Sequence, residues 1–426
     1  MSLDTASRAV TLCADIGTSS LKAAFIDLDG HELAFAREIY PRRAGGVVAQ
    51  DWEEALQRAL RALFSEQAGT IRPVAVCVSG NGPTLTPLTF SGEALPPLHW
   101  YDGKLVALPA SKSFFLPHAA WLLAHSPREY EQTRYLISAA EWLSYQLGAD
   151  PVSVLPAPAY QPYYWDEAQC RACGLDLQKF PPFVSLGSVI GRVSAQAERR
   201  FGLPAGLPLI AGGPDFFMAL IGAGTVKAGM VCDRAGTSEG VNVCADAPVD
   251  HAALRVLPHV TEGLWNIGAV IADSGSLFDR YRVSTGQQER DYDELLRELI
   301  PDNAADLMPD LAALSALHEA LVPTFSPRAA LSPTLFGRAT LETIALTVRD
   351  AIETLRSVGL SVNELRVSGG QSKNPRWNQL KADITGCSLL IPEVNDGELA
   401  GDAILAAVAL GEASDIAAAV ERMVRV

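Results

Sequence analysis

Twice, at residues 17–19 and again at 236–238, the chain sets Gly-Thr-Ser between two short apolar segments. The first copy runs Val10-Thr11-Leu12-Cys13-Ala14, then Asp15-Ile16-Gly17-Thr18-Ser19-Ser20, then Leu21 to Ile26. The second runs from Met230 to Val243 around Gly236-Thr237-Ser238. Aliphatic and β-branched runs broken by a glycine turn read as strand, turn, strand. A hairpin cannot bury its apolar face alone, so each copy needs further strands and a covering helix. Two such hairpins, each near the start of one half of a 426-residue chain, point to two α/β domains. The expected division is 1–213 and 214–426.

The flanking residues supply the missing pieces. A turn at Asp29-Gly30 leads to a third strand, Glu32 to Ile39. Trp52, Leu56, Leu60 and Leu63 then recur at helical spacing within 52–64. Val74 to Val78 is continuously apolar, as expected of a strand buried on both faces. In the second half Glu364 to Val367 reads as a strand and Ser368-Gly369-Gly370 as a turn. Asn374 and Pro375 suit the cap and first position of a helix reaching about Thr385. An alanine-rich helix, Asn395 to Gly411, closes the chain.

Composition narrows the partners. Lys plus Arg is 34 and Asp plus Glu 49, a formal charge of −15 with no dense basic patch. Such a surface repels nucleic-acid backbones and anionic membranes, so neither is an expected partner. No run of 18 apolar residues occurs, and the N-terminus lacks the pattern of a signal peptide. Seven scattered cysteines suit a reducing cytoplasm. Cys170 and Cys173 form one C-x-x-C, which without a second pair reads as two ordinary helix cysteines.

Glycine turns let backbone N–H groups converge on a phosphate, and neighbouring Thr and Ser hydroxyls add donors. Gly17, Thr18, Ser19, Gly236, Thr237 and Ser238 are candidates for that role. Asp15, at a strand end, is placed to hold Mg²⁺ directly or through water. Lys22 alternates with Ser20 along its strand and lines the same face. There is no G-x-x-x-x-G-K-[ST] and no strand-to-helix G-x-G-x-x-G. Transfer of phosphate to an alcohol needs a carboxylate to take the proton. Asp215 follows Gly212-Gly213-Pro214 at the start of an apolar helix, a poor place for an acid with only a packing role. Helix capping is the competing explanation.

Together these segments resemble the FGGY carbohydrate kinases. Asp15 to Lys22 resembles that family's D-x-G-T-x-S-x-K motif, and Trp100-Tyr101-Asp102-Gly103-Lys104 its W-x-D-x-R segment. Gly212-Gly213-Pro214-Asp215 is similar to G-G-x-D, Gly236-Thr237-Ser238 to the second phosphate motif, and Ser368-Gly369-Gly370 with Asn374-Pro375 to the adenosine motif. The matches fall in family order from residue 10 to about 411.

The resemblance implies two ribonuclease H-like (actin/hexokinase-type) domains, with mixed sheets flanked by helices and the active site in the cleft between them. It implies ATP and Mg²⁺ as cofactors and a small sugar or polyol as substrate, a ketose such as a pentulose favoured. Asp215 would be the general base, and Asp15, Thr18 and Thr237 would surround phosphates and metal. Gly369, Gly370 and Asn374 would border adenosine, and Asn81, Trp100 and Asp102 the sugar. A homodimer is left open.

Several positions depart from the family. The segment after Lys104 is short, and Lys104 replaces an arginine. Ser79-Gly80-Asn81-Gly82-Pro83 replaces the S-G-Q-M-H of xylulose kinases, and Glu239 a common glycine. G-E-R-x-P is absent, with 323–333 its nearest remnant. Two alternatives follow. One is a catalytically silent sugar- or nucleotide-binding protein on the same scaffold. The other is a ribokinase-like kinase using Asp402 of Ala400-Gly401-Asp402-Ala403.

Overall fold

A computed structural model describes residues 7–43, 46–67, 69–301 and 332–426. The chain divides into two compact units. One is Met1–Gly224 with Val260–Glu262 and Gly397–Arg425; the other is Thr225–His259 with Gly263–Asp396 and Val426.

In the first unit β1 (Arg8–Ile16), β2 (Ser20–Asp27) and β3 (Glu32–Ile39) form the expected antiparallel meander. The helix Ala49–Glu66 buries Trp52, Leu56, Leu60 and Leu63, the stripe read from their spacing. Its apolar face covers the sheet at Leu12, Leu21, Ala23 and Phe25. The chain then enters β4 (Ile71–Gly80), parallel to β1. An excursion follows, with β5 (Leu85–Thr89) paired to β6 (Thr133–Ser138) and β7 (Ser153–Leu155) to β8 (Phe183–Ser185). The chain returns to the main sheet as β9 (Val189–Arg192) and β10 (Pro208–Pro214), giving the order β3-β2-β1-β4-β10-β9.

The second unit repeats this plan. β11 (Val231–Ala235) and β12 (Glu239–Ala245) are the second hairpin. β13 (Arg255–Pro258) and β14 (Trp265–Ile271) extend its antiparallel side, and β15 (Glu364–Ser368) and β16 (Ser388–Leu390) its parallel side. The order is β13-β14-β12-β11-β15-β16. Without the edge strands β9 and β13, both sheets connect a meander to two parallel strands in the same sequence. The helix Pro333–Ser357 covers this sheet with Val348, Ile352 and Leu355.

The break falls at 224/225 rather than 213/214, and the last helices return to the first unit. Glycines explain why. A Cβ on Gly222 would lie 1.9 Å from the Gly397 carbonyl oxygen, and one on Gly401 2.3 Å from that of Met218. The helices Asp215–Gly222 and Gly397–Ala409 therefore pack backbone against backbone, which binds residues 214–224 and the C-terminal segment to the first sheet. Gly401→Ala should force these helices apart and cost about 1–3 kcal/mol or more. Urea unfolding would show this as a lowered midpoint; an unchanged midpoint would refute backbone contact as the reason for glycine here.

Candidate active site

Three parallel strands of the first sheet end level with one another. Ile16 pairs with Gly80, and Gly80 with Pro214. The next residues in each strand, Gly17, Asn81 and Asp215, thus emerge side by side at the carboxyl edge of the sheet, where open α/β sheets bind ligands.

Each strand reaches that edge by a local device. In the hairpin, the Gly17 N–H donates to the Ser20 carbonyl at 3.0 Å, closing the turn over Thr18 and Ser19. A Cβ on Gly17 would stand 2.9 Å from that same oxygen. At the end of β4 the Asn81 N–H donates to the Ile16 carbonyl at 2.8 Å. The Asn81 amide reaches Thr18 Oγ1 at 3.4 Å and accepts from Thr84 Oγ1 at 3.2 Å. In β10 the register slips between Ala211 and Pro214. Gly212 makes this bulge feasible, because a Cβ there would lie 2.2 Å from the Val78 carbonyl oxygen. Bulges of this kind re-aim the residues that follow.

Asp215 is the first residue of its helix, with Pro214 as the N-cap. Its Oδ1 accepts the Phe216 N–H at 2.6 Å. The helix N-terminus favours the ionised carboxylate. Asp215 is half-buried, at the surface of an otherwise apolar helix.

Asp15 is buried, and Lys22, its partner in register, lies 3.9 Å from it. Lys22 is also 3.9 Å from Glu398. Ser79 Oγ stands 3.4 Å from Asp15 Oδ1 and 3.0 Å from Asp402 Oδ2, and Cys77 Sγ reaches Asp402 Oδ1 at 3.4 Å. Asp402 is fully buried. Burial, then the Asp15 charge, push its carboxyl well above the ordinary range. Among the described residues no cluster of three metal-ligating side chains occurs. A single strand-end carboxylate in the donor set, as Asp15 would be, is compatible with Mg²⁺ that keeps water and phosphate ligands.

Trp100 and Asp102 sit on a separate loop. Trp100 is 48% exposed and meets Tyr101 edge-on. Asp102 Oδ2 accepts the His99 N–H at 3.1 Å and Oδ1 the Lys104 N–H at 2.9 Å, while the Lys104 ammonium lies 3.3 Å from Oδ2. Its carboxylate therefore shapes its own turn. His99 anchors the loop, stacking on Tyr101 and meeting Trp52 edge-on.

In the second unit Gly369 lies against the other hairpin, while the Asn374 amide donates to Asp293 Oδ1 at 2.7 Å. Gly369, at φ +97°, packs so closely that a Cβ would lie 2.6 Å from the Ala235 carbonyl oxygen. Gly370 begins a short 3-10 turn, and Asn374 caps the next helix, Pro375–Thr385, accepting N–H bonds from Arg376 and Trp377. The 323–333 stretch lies, up to residue 331, outside the described residues.

Two buried acidic sites escaped the sequence reading. Asp233, Glu239 and Lys381 form a buried ionic group beneath the second hairpin. In the first unit, Glu141 borders a cavity of about 20 Å³ shared with Asn81, Gly213, Pro214 and Tyr164, room for about one water. Neither announces itself locally, since Lys381 joins Asp233 and Glu239 from a helix more than 140 residues further along the chain, and the lining around Glu141 comes from several segments.

The family assignment follows from the sequence comparisons. The N-terminal domain of the FGGY family of carbohydrate kinases matches residues 104–222, and that family's C-terminal domain matches residues 234–410. The chain belongs to the FGGY family of carbohydrate kinases. Autoinducer-2 kinase of Salmonella paratyphi B is 25% identical over 474 aligned residues, covering 96% of this chain and 88% of its own. Gluconate kinase of Lactobacillus acidophilus has the same fold, with TM-score 0.77 at 16% identity over 98% of this chain and 92% of that one. Plasmodium falciparum glycerol kinase with ADP gives 0.71 at 16% identity, over 99% and 94%. An actin/hexokinase-like pair of sheet domains thus replaces the single sheet that a ribokinase-like kinase would need. Among the described residues no helix is long and apolar enough to cross a membrane.

Glu141 offers a pH test of the floor beneath the strand ends. Burial pushes its carboxyl up to about 7, against the pull of the Ser138 and Val154 N–H groups, each 2.6 Å away. The folded protein then holds a proton that the unfolded chain has released, so stability falls as pH rises from about 4.5 to about 7. The full effect is about 3 kcal/mol. Denaturation midpoints across this window should decline in the native protein and flatten in Glu141→Gln. Parallel declines in both would refute the assignment.

Proposed function

We propose that this FGGY kinase transfers the γ-phosphoryl group of ATP to a hydroxyl of a small sugar or polyol, with Asp215 as general base. The observation that carries this reading is the level ending of β1, β4 and β10, which sets Asp215 beside Asn81 and the first glycine hairpin. In that row a hydroxyl held by the Asn81 amide has a carboxylate within its reach, and the Gly17-Thr18-Ser19 turn offers N–H and hydroxyl donors to the transferred phosphate. Asp215 takes the hydroxyl proton as the oxygen attacks phosphorus. Lys22 places positive charge beside Asp15.

Mg²⁺, held through Asp15, would neutralise charge on the phosphates. Gly236, Thr237 and Ser238 take the nucleotide phosphates, while Gly369, Gly370 and Asn374 border its adenosine. Trp100 supplies an aromatic surface for sugar C–H groups, and Asp102 orders the loop that carries it. A ketose such as a pentulose is the favoured acceptor, because the Asn81 amide can donate to a carbonyl oxygen. An ATP-consumption assay over ketoses, polyols and sugar acids ranks the acceptors.

Burial argues against Asp402 as the base, since its carboxyl is enclosed and contacted by Ser79 and Cys77. With the best acceptor, Asp215→Asn should lower kcat by roughly 10²–10⁴ with little change in the KM for ATP. Asp402→Asn should lower kcat far less. The opposite ranking would overturn the assignment.

A further inference from the structure

The second hairpin is held from beneath by a directional chain of hydrogen bonds. Lys381, fully buried on the helix Pro375–Thr385, contacts Glu239 Oε1 and lies 3.0 Å from Asp233 Oδ2. Burial disfavours its charge, but the two carboxylates outweigh this and keep the ammonium protonated. Glu239 Oε2 accepts the Ser274 hydroxyl. With its only proton committed, Ser274 Oγ accepts from Gln371 Nε2 at 2.8 Å. The same Gln371 nitrogen donates to the Gly236 carbonyl at 2.9 Å. Gln371 Oε1 is buried and has no partner among the described residues, so the amide orientation is set at its nitrogen end.

The carbonyls of the turn are thereby pinned. Gly236 O also accepts from the Gly275 N–H at 3.1 Å, and Thr237 O from the Ser276 N–H at 3.0 Å. A Cβ on Gly275 would lie 2.5 Å from Gly236 O, so only glycine permits this approach. Both peptides are trans, and in a trans peptide the N–H points opposite to the C=O. Fixing the Gly236 and Thr237 carbonyls toward the protein therefore aims the N–H groups of Thr237 and Ser238 away from it. Among the described residues neither N–H has a partner. Two adjacent outward N–H groups make an anion-receiving nest.

We infer that Glu239, Lys381, Ser274 and Gln371 are positioning residues that hold the Gly236-Thr237-Ser238 turn ready to receive the phosphates of the nucleotide. The inference rests on the kinase reading above and adds its phosphate-orienting support. A buried ionic group of this size is weak evidence for stability alone, because apolar side chains of equal volume often serve as well. Its fit here is with orientation: the charge of Lys381 sets the direction of each hydrogen bond up to the turn.

Titration calorimetry on the full chain tests this with two probes, a non-hydrolysable ATP analogue with Mg²⁺ and adenosine alone. Gln371→Leu removes the last link without touching the ionic group, and Ser274→Ala breaks the chain one step earlier. Each should weaken the ATP analogue about tenfold, the size of one lost charge-assisted hydrogen bond, and leave adenosine within about twofold. A merely structural role would weaken both probes alike or neither, and either result overturns the inference. If the native protein holds the ATP analogue no tighter than adenosine, the kinase reading itself falls. If the native protein prefers the analogue and both variants keep that preference, only the positioning role falls.

Discussion

A parallel strand delivers its last side chain and its last N–H at the same edge as its neighbours, provided their registers agree. In the first sheet this agreement runs through Ile16, Gly80 and Pro214. It is not automatic, because β10 carries an extra residue that must bulge out before Pro214. Gly212 absorbs it where a methyl group would overlap the Val78 carbonyl. Asp215 owes its position to that bulge, and its helix owes its seat to Gly222 and Gly401, which let the C-terminal helix lie directly against it. The site is thus built by close backbone approach more than by side-chain packing.

The two sheets share their connectivity, yet the hairpins have diverged in chemistry. Two residues before the turn, the first copy has Asp15 and the second Arg234. The pair flanking the turn is Ile16–Leu21 in the first and Ala235–Glu239 in the second, so the second turn is one residue shorter. An acid at the first suits a metal ion. At the second, carbonyls braced from below and N–H groups turned outward suit anions without one. One sheet plan thus carries two chemically different turns.

Much of this was legible in the sequence, and the reason is locality. The hairpins, the 32–39 strand, the Trp52–Leu63 stripe and the Asn374-Pro375 helix start are each decided by residues within a turn or two of one another. The common plan of the two sheets was visible only through one shared tripeptide, because strand order depends on pairing between segments tens to hundreds of residues apart. The domain division was displaced for the same reason: glycines at 222 and 401 meet across a long separation. Lys381 reads as one more polar residue on a capped helix, and nothing near it announces two buried carboxylates contributed by the second hairpin.

Asp402 shows how burial distinguishes two carboxylates that are each a candidate base. Its motif resembles that of the ribokinase-like alternative, whereas that of Asp215 resembles the G-G-x-D of the FGGY family. A base must meet the substrate hydroxyl and must be ionised when it does. Asp402 has no exposed surface, and burial together with the Asp15 charge favours its neutral form. Asp215 keeps an exposed part, and the end of its helix stabilises the anion. The neutral acid has a different use. Ser79 has one proton for two carboxylates; if Asp402 donates to Ser79, the serine proton is left for Asp15, and the carboxylate at the strand end is held in place. Burial thus suits Asp402 to a supporting place in the site, and its exposed part suits Asp215 to the proposed proton transfer.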